Sequence, residues 1–135
     1  FKYTGAQGEK MVRVSEDGQS AHTIFRVLNR FSDDLLHQVG LSQLTLVQAT
    51  LKTGRTHQIR VHLQSQQCPI AGDERYGDYQ ANKRLQKLGL KRMFLHAAEL
   101  HLDHPLTGEK LILKAPLPQD LAQFVLMLEN ARKVV

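Results

Sequence analysis

Apolar residues recur every second position through much of the first half of the chain, and every third or fourth near its end. Glu9 to Ser15 alternates about Val12 and Val14 and predicts a strand, with Glu16-Asp17-Gly18-Gln19 as a turn. Ala21 to Phe31 predicts a second strand, with Phe25 and Val27 on one face. Ile24 and Leu28 share the other face with Arg26 and Arg30, so the two strands read as an antiparallel hairpin. Residues 1–8 carry two glycines and no period, and read as a lead-in. Ser32 to Gly40 is polar and reads as a connecting loop, from which Leu35 and Leu36 lean on the core. Leu41 to Leu51 sets Val47, Ala49 and Leu51 against Leu44 and Leu46, predicting a strand with both faces covered.

Helical spacing begins at Thr56 and runs to about Gln67, where Pro69 ends it. Pro69-Ile70-Ala71-Gly72-Asp73 is a short extended piece. Residues 79–91, with Lys83, Arg84, Lys87 and Lys91 beside Leu85 and Leu88, predict a short basic helix that ends near Gly89. Arg92 to Asp103 predicts a long strand with Phe94, Ala98, Leu100 and Leu102 inward. Pro105-Leu106-Thr107-Gly108 turns it back into Glu109 to Lys114. After Pro116 and Pro118, Leu121, Phe124, Val125, Leu128 and Ala131 mark an amphipathic helix. The pattern is α+β, with a mostly antiparallel sheet, flanking helices and one domain over residues 1–135.

The join between strand and helix is the richest stretch: Thr53-Gly54-Arg55-Thr56-His57-Gln58-Ile59-Arg60-Val61-His62. Thr-Gly suits a sharp corner, and the Thr56 hydroxyl is placed to cap a helix. His57 and Arg60 are three apart and share a face. A helix start favours anions, and Arg55 and Arg60 add positive charge there. The local reading is an anion site at a strand-to-helix corner. Arg60 is open to two readings: a salt-bridging surface residue, or a residue that holds a carboxylate bidentately.

Charge supports an anionic partner. The net charge is +5, yet residues 51–95 alone hold nine basic against three acidic side chains. Such a block suits a polyanion such as nucleic acid; an ordinary solvated face gives the same composition. No apolar run approaches the roughly 20 residues of a membrane span. The single cysteine, Cys68, cannot form an internal disulfide and fits a reducing, cytoplasmic setting; it reads as a small buried apolar residue. Seven histidines raise the question of a metal. His57 and His62 are five apart and do not converge on a helix, and no Cys pair accompanies any of them, so no metal is expected. No phosphate-binding or dinucleotide glycine pattern points to a cofactor. A chain that starts at Phe1 without a charged-then-apolar leader reads as lacking a signal peptide, and as part of something longer.

The full string from Thr53 to His62 resembles the third signature motif of the RluA-type RNA pseudouridine synthases. Pro69-Ile70-Ala71-Gly72-Asp73 with Tyr76-Gly77, Leu95-His96-Ala97, His104-Pro105 with Thr107-Gly108-Glu109, and Ala115-Pro116 follow in the family's order. Val12-Arg13-Val14-Ser15 with Gly18, and Phe25-Arg26-Val27, resemble most closely the C-type subgroup acting on large-subunit ribosomal RNA. The resemblance implies a pseudouridine synthase fold and isomerisation of uridine to pseudouridine in RNA, without metal or organic cofactor.

In the family a catalytic aspartate lies in an Arg-Leu-Asp segment ahead of the third motif, and an arginine at the position of Arg60 pairs with it. No such segment precedes residue 53 in this sequence. His101-Leu102-Asp103-His104 mimics it but falls in the late hairpin, where Asp103 is a turn residue. The chain thus resembles the C-terminal part of the catalytic domain, and is expected to be inactive alone. Its expected partners are the N-terminal half of that domain and large-subunit ribosomal RNA, in a protein monomeric when complete. Arg60 is expected to support the chemistry by holding a carboxylate from outside the chain. Arg55, Thr56 and His57 are candidate substrate contacts, Lys83, Arg84 and Lys87 RNA-facing candidates, and Tyr76 and His96 structural. A noncatalytic RNA-binding module on the same scaffold is the alternative.

Overall fold

The computed structural model describes residues 2–4, 9–16, 19–54 and 56–133. Four antiparallel strands run in the order β1 (Lys2–Thr4), β2 (Glu9–Glu16), β3 (Gln19–Phe31) and β4 (Leu44–Leu51). The expected hairpin is β2–β3, in register from Glu9↔Arg26 to Glu16↔Gln19. Its tip, Asp17 and Gly18, lies outside the described residues, as do residues 5–8 of the expected lead-in. Lys2–Thr4 of that lead-in instead pairs with β2, because an extended backbone beside an open strand gains ladder hydrogen bonds whatever its side-chain period.

Ser32 to Gly40 contains a helix, α1 (Asp34–Gln38), rather than only loop. The Asp33 carboxylate accepts the Leu36 amide at 3.2 Å, capping that turn, and Leu36 is fully buried. The alternating apolar positions of β4 do not give two covered faces. No β4 residue is fully buried and Leu51 is 49% exposed: Leu44 and Leu46, on one face, pack against the core cluster, and β4 lies at the sheet edge among the described residues.

Helix α2 (Gln58–Ser65) is shorter at both ends than the expected 56–67, and Cys68 after it is exposed rather than buried. The chain leaves α2 through a left-handed Gln67 (φ 61°), which carries Cys68 clear of the core. Helix α3 (Tyr79–Lys87) starts on Asp78, whose side chain accepts the Ala81 amide, and buries Leu85. The expected strand 92–103 is regular only over β5 (Glu99–Asp103), which pairs with β6 (Lys110–Lys114) in a separate two-stranded sheet. Upstream, Phe94 donates its amide to Ala71 and its ring packs near Phe124. Ala98 and Leu100 face outward, contrary to the inward reading.

Helix α4 (Gln119–Lys133) closes the core as its spacing predicts. Leu121, Phe124 and Leu128 join Phe31, Leu36, Leu85 and Leu90 in one buried cluster. This core anchors the ends of β3, α1 and α3. The corner between β4 and α2 lies beside it and is held by polar contacts instead.

Candidate active site

Thr53 and Gln58 lock the corner after β4 against β3. The Thr53 hydroxyl accepts the His22 amide at 2.9 Å and donates to Gln58 Oε1 at 2.7 Å. Gln58 Nε2 donates in turn to the His22 carbonyl and the Thr23 hydroxyl, each at 2.9 Å. Thr23, fully buried, lies 2.8 Å from His62 Nδ1. The Thr23 hydroxyl, which accepts from Gln58, thus joins Gln58 to His62 Nδ1 in one buried network. Burial, and the nearby His22, hold His62 below its ordinary pKa, so it is neutral. This network fixes the first turn of α2 without any apolar contribution from the motif's polar half.

Thr56 does not cap that helix. It is exposed in a turn, and the N-cap position falls one residue later, on His57, with no side-chain cap bond. His57 adopts a left-handed backbone (φ 52°), a conformation that costs a bulky residue about 1 kcal/mol. Its ring is tied down in compensation: Nδ1 lies 3.1 Å from the Tyr76 hydroxyl, with the rings edge to face. Arg55 lies outside the described residues.

One turn on, Arg60 donates from Nε to Asp73 Oδ2 and from Nη2 to Asp73 Oδ1, both at 2.8 Å. This is the bidentate geometry a guanidinium favours. Asp73 Oδ1 also accepts the amides of Arg75 and Tyr76 at 3.0 Å, and the carboxylate is completely buried. The Arg60 hydrogen bonds, reinforced by these amides, pull the Asp73 pKa down to about 2 against the opposing effect of burial. The same pairing raises that of Arg60. The Tyr76 ring lies 5.0 Å from the Arg60 guanidinium and 5.2 Å from that of Arg75.

The loop presenting Asp73 depends on two glycines. Gly72 has φ 82°, and a Cβ there would collide with the Arg92 carbonyl; one on Gly77 would collide with the Asp73 carbonyl. Asn82, from α3, completes the clasp by accepting the Gly72 amide and donating to the Asp73 carbonyl.

Among the expected site residues, the structure brings His57 and Arg60 together around Tyr76. It does not bring Lys83, Arg84 or Lys87 into that cluster: Lys83 lies over the Tyr79 ring, and Arg84 packs on Gly40 and donates to its carbonyl at 3.4 Å. Lys87 is exposed. His96 makes a backbone contact, 2.8 Å from the Ala115 carbonyl, as a structural residue does. Asp73 occupies the Nε–Nη2 edge of Arg60, so the outside carboxylate expected for Arg60 would have to meet Nη1. Asp73 was not foreseen as a site residue. The available signal was its position: the first of only three acidic residues in a basic block, directly after a glycine.

Residues 3–65 match the family model for RNA pseudouridylate synthase. The chain is 43% identical over 127 residues to a ribosomal large subunit pseudouridine synthase C of Escherichia coli K12. It is 44% identical over 123 residues to that of Yersinia pestis. These alignments take in 93% and 91% of this chain but 37% and 35% of the relatives, so the chain spans just over one third of their length. Human RNA pseudouridylate synthase domain containing 1 shares the fold with a TM-score of 0.57 and 26% identity, over 93% of this chain and 50% of the human one. In the family match, in identity along nearly the whole chain and in fold, this chain is similar to the RNA pseudouridylate synthases.

Proposed function

We propose that the chain is the C-terminal part of a catalytic domain that isomerises specific uridines of large-subunit ribosomal RNA to pseudouridine. The observation that carries this reading is the Arg60 guanidinium, fixed at the signature corner with Nη1 lacking a partner among the described residues. In the reaction the glycosidic bond breaks, the uracil turns, and its C5 joins C1′ of the same ribose. An aspartate outside this chain would supply the carboxylate for that chemistry. Arg60 Nη1 would hold it in the ionised form and at a set angle.

The target base must leave its stack, which requires a basic surface for the flanking phosphates. Arg55, Thr56 and His57 stand next to Arg60 in the chain and are the substrate contacts in this reading. Lys83, Arg84 and Lys87 contribute a weaker, sequence-independent attraction, with Arg84 partly engaged by Gly40. The remainder of the domain is the partner that covers the outer edge of β4, which has no strand neighbour among the described residues. The completed protein works as a cytoplasmic monomer. None of the described helices is long and apolar enough to cross a membrane.

Quantifying pseudouridine in ribosomal RNA treated with the longer protein tests the reading. Isomerisation that falls at least about 100-fold with Arg60→Ala is the expected result. Retained RNA binding with no isomerisation by the intact protein would favour a noncatalytic RNA-binding module instead.

A further inference from the structure

We propose that Asp73 is the positioning residue of this site: it grips the Nε–Nη2 edge of Arg60 so that Nη1 meets the reacting carboxylate at a fixed angle. The inference rests on the isomerase reading above, and adds a residue to it. An arginine has four rotatable side-chain bonds, and ordering such a side chain costs up to about 2 kcal/mol. Here that ordering is complete before any ligand arrives. Two 2.8 Å bonds to Asp73 fix the plane of the guanidinium, whose carbon lies 5.0 Å from the centre of the Tyr76 ring.

Asp73 is itself immobilised. It has no exposed side-chain surface, two backbone amides and one guanidinium nitrogen converge on Oδ1, and its main-chain carbonyl is clasped by Asn82 and Gly77. A group serving only as a counter-ion would not need this scaffold. The arrangement is a relay of fixed geometry: loop backbone to Asp73, Asp73 to Arg60, and Arg60 Nη1 to whatever anion docks there.

Asp73→Asn separates this role from simple stability. The amide oxygen placed at Oδ1 keeps the Arg75 and Tyr76 amides and the Nη2 bond. The amide nitrogen placed at Oδ2 then faces Arg60 Nε, donor against donor, and the grip is lost. In the longer protein, Asp73→Asn is expected to lower kcat for uridine isomerisation about 10- to 100-fold with KM for RNA within about twofold. In an Arg60→Ala background the same substitution should change kcat by less than about twofold, since Asp73 acts through Arg60.

The hold itself is read without activity, from the exchange of the Arg60 Nε proton by NMR on the 135-residue chain. Slow exchange in the wild type that becomes fast in Asp73→Asn supports the proposal. Equal exchange in both, or additive losses of kcat in the double variant, would overturn it. A wild-type longer protein inert on RNA would overturn the isomerase reading instead, while a protected Nε proton would still record the grip.

Discussion

The Arg60–Asp73 corner and the β5–β6 hairpin are of similar size and opposite construction. At the corner both carboxylate oxygens of Asp73 are engaged: Oδ1 receives three donors and Oδ2 one, all from this chain. In the hairpin, Leu100 pairs with Leu113 and His101 with Ile112, yet Leu100, Ile112 and Leu113 are each more than half exposed. The corner is closed by polar contacts within this chain, across thirteen positions. The hairpin is paired in its backbone but leaves these apolar side chains exposed. One region is tied together by its side chains; the other is held by its backbone ladder.

The sharpest way to break this contrast is substitution on each side. Asp73→Ala removes the ion pair and two loop hydrogen bonds together, and is expected to destabilise the chain by roughly 3 kcal/mol in thermal unfolding. Ile112→Ser should change stability by less than about 0.5 kcal/mol, because its side chain loses little burial. Equal effects would show that the two regions are not built differently. In the longer protein the hairpin substitution should become costlier, if the remaining domain covers that face.

Acidification gives the next largest effect, in two windows. The folded state holds His62 below its ordinary value near 6.5, so the unfolded chain takes up that proton first. Stability present above pH 6.5 therefore falls as the pH drops through and below it. Asp73 titrates at about 2 when folded against 3.8 when not, so its contribution is intact above 3.8 and disappears between there and 2. Urea unfolding at a series of pH values should show both declines, and His62→Gln should remove the upper one. A stability that rose on acidification would contradict both assignments.

Hydrogen exchange makes a smaller distinction. Amides of α2 such as Val61, bonded to His57, should exchange more slowly than those of the β5–β6 hairpin. The smallest effect concerns RNA affinity. Lys87→Ala should weaken binding less than twofold to threefold at moderate salt, and lower the salt slope by about 0.7 for a single strand. A change in sequence preference with that substitution would contradict the purely electrostatic role given to Lys87.

The features legible in the sequence were those carried by period and by cap-and-breaker residues. The β2–β3 hairpin and the buried face of α4 follow directly from the spacing of Phe25, Leu121, Phe124 and Leu128. Fold class and family likeness were legible too, because the signature string is long. Position within a sheet was not. Leu44 to Leu51 has the apolar content of a covered strand, but whether it is covered depends on a neighbour, and β4 lies at an edge. The exposure of Leu100 was hidden for the same reason. At the site, the Arg60 pairing with Asp73 crosses thirteen positions and a loop whose course is set by Gly72 and Gly77, so no spacing rule connects them. The N-cap falls on His57 rather than Thr56, and the His57 ring is held by Tyr76, nineteen residues on, which no local cap signal reveals.

The central claim is that Arg60, held by Asp73, is one half of an active site completed from outside this chain. Pseudouridine formation in large-subunit ribosomal RNA tests it most directly, with the 135-residue chain, the longer protein and its Arg60→Ala variant measured side by side. The account predicts conversion by the longer protein, none by the chain alone, and a loss of at least about 100-fold on removing Arg60. Conversion by the isolated chain, or near-normal conversion without Arg60, would contradict it.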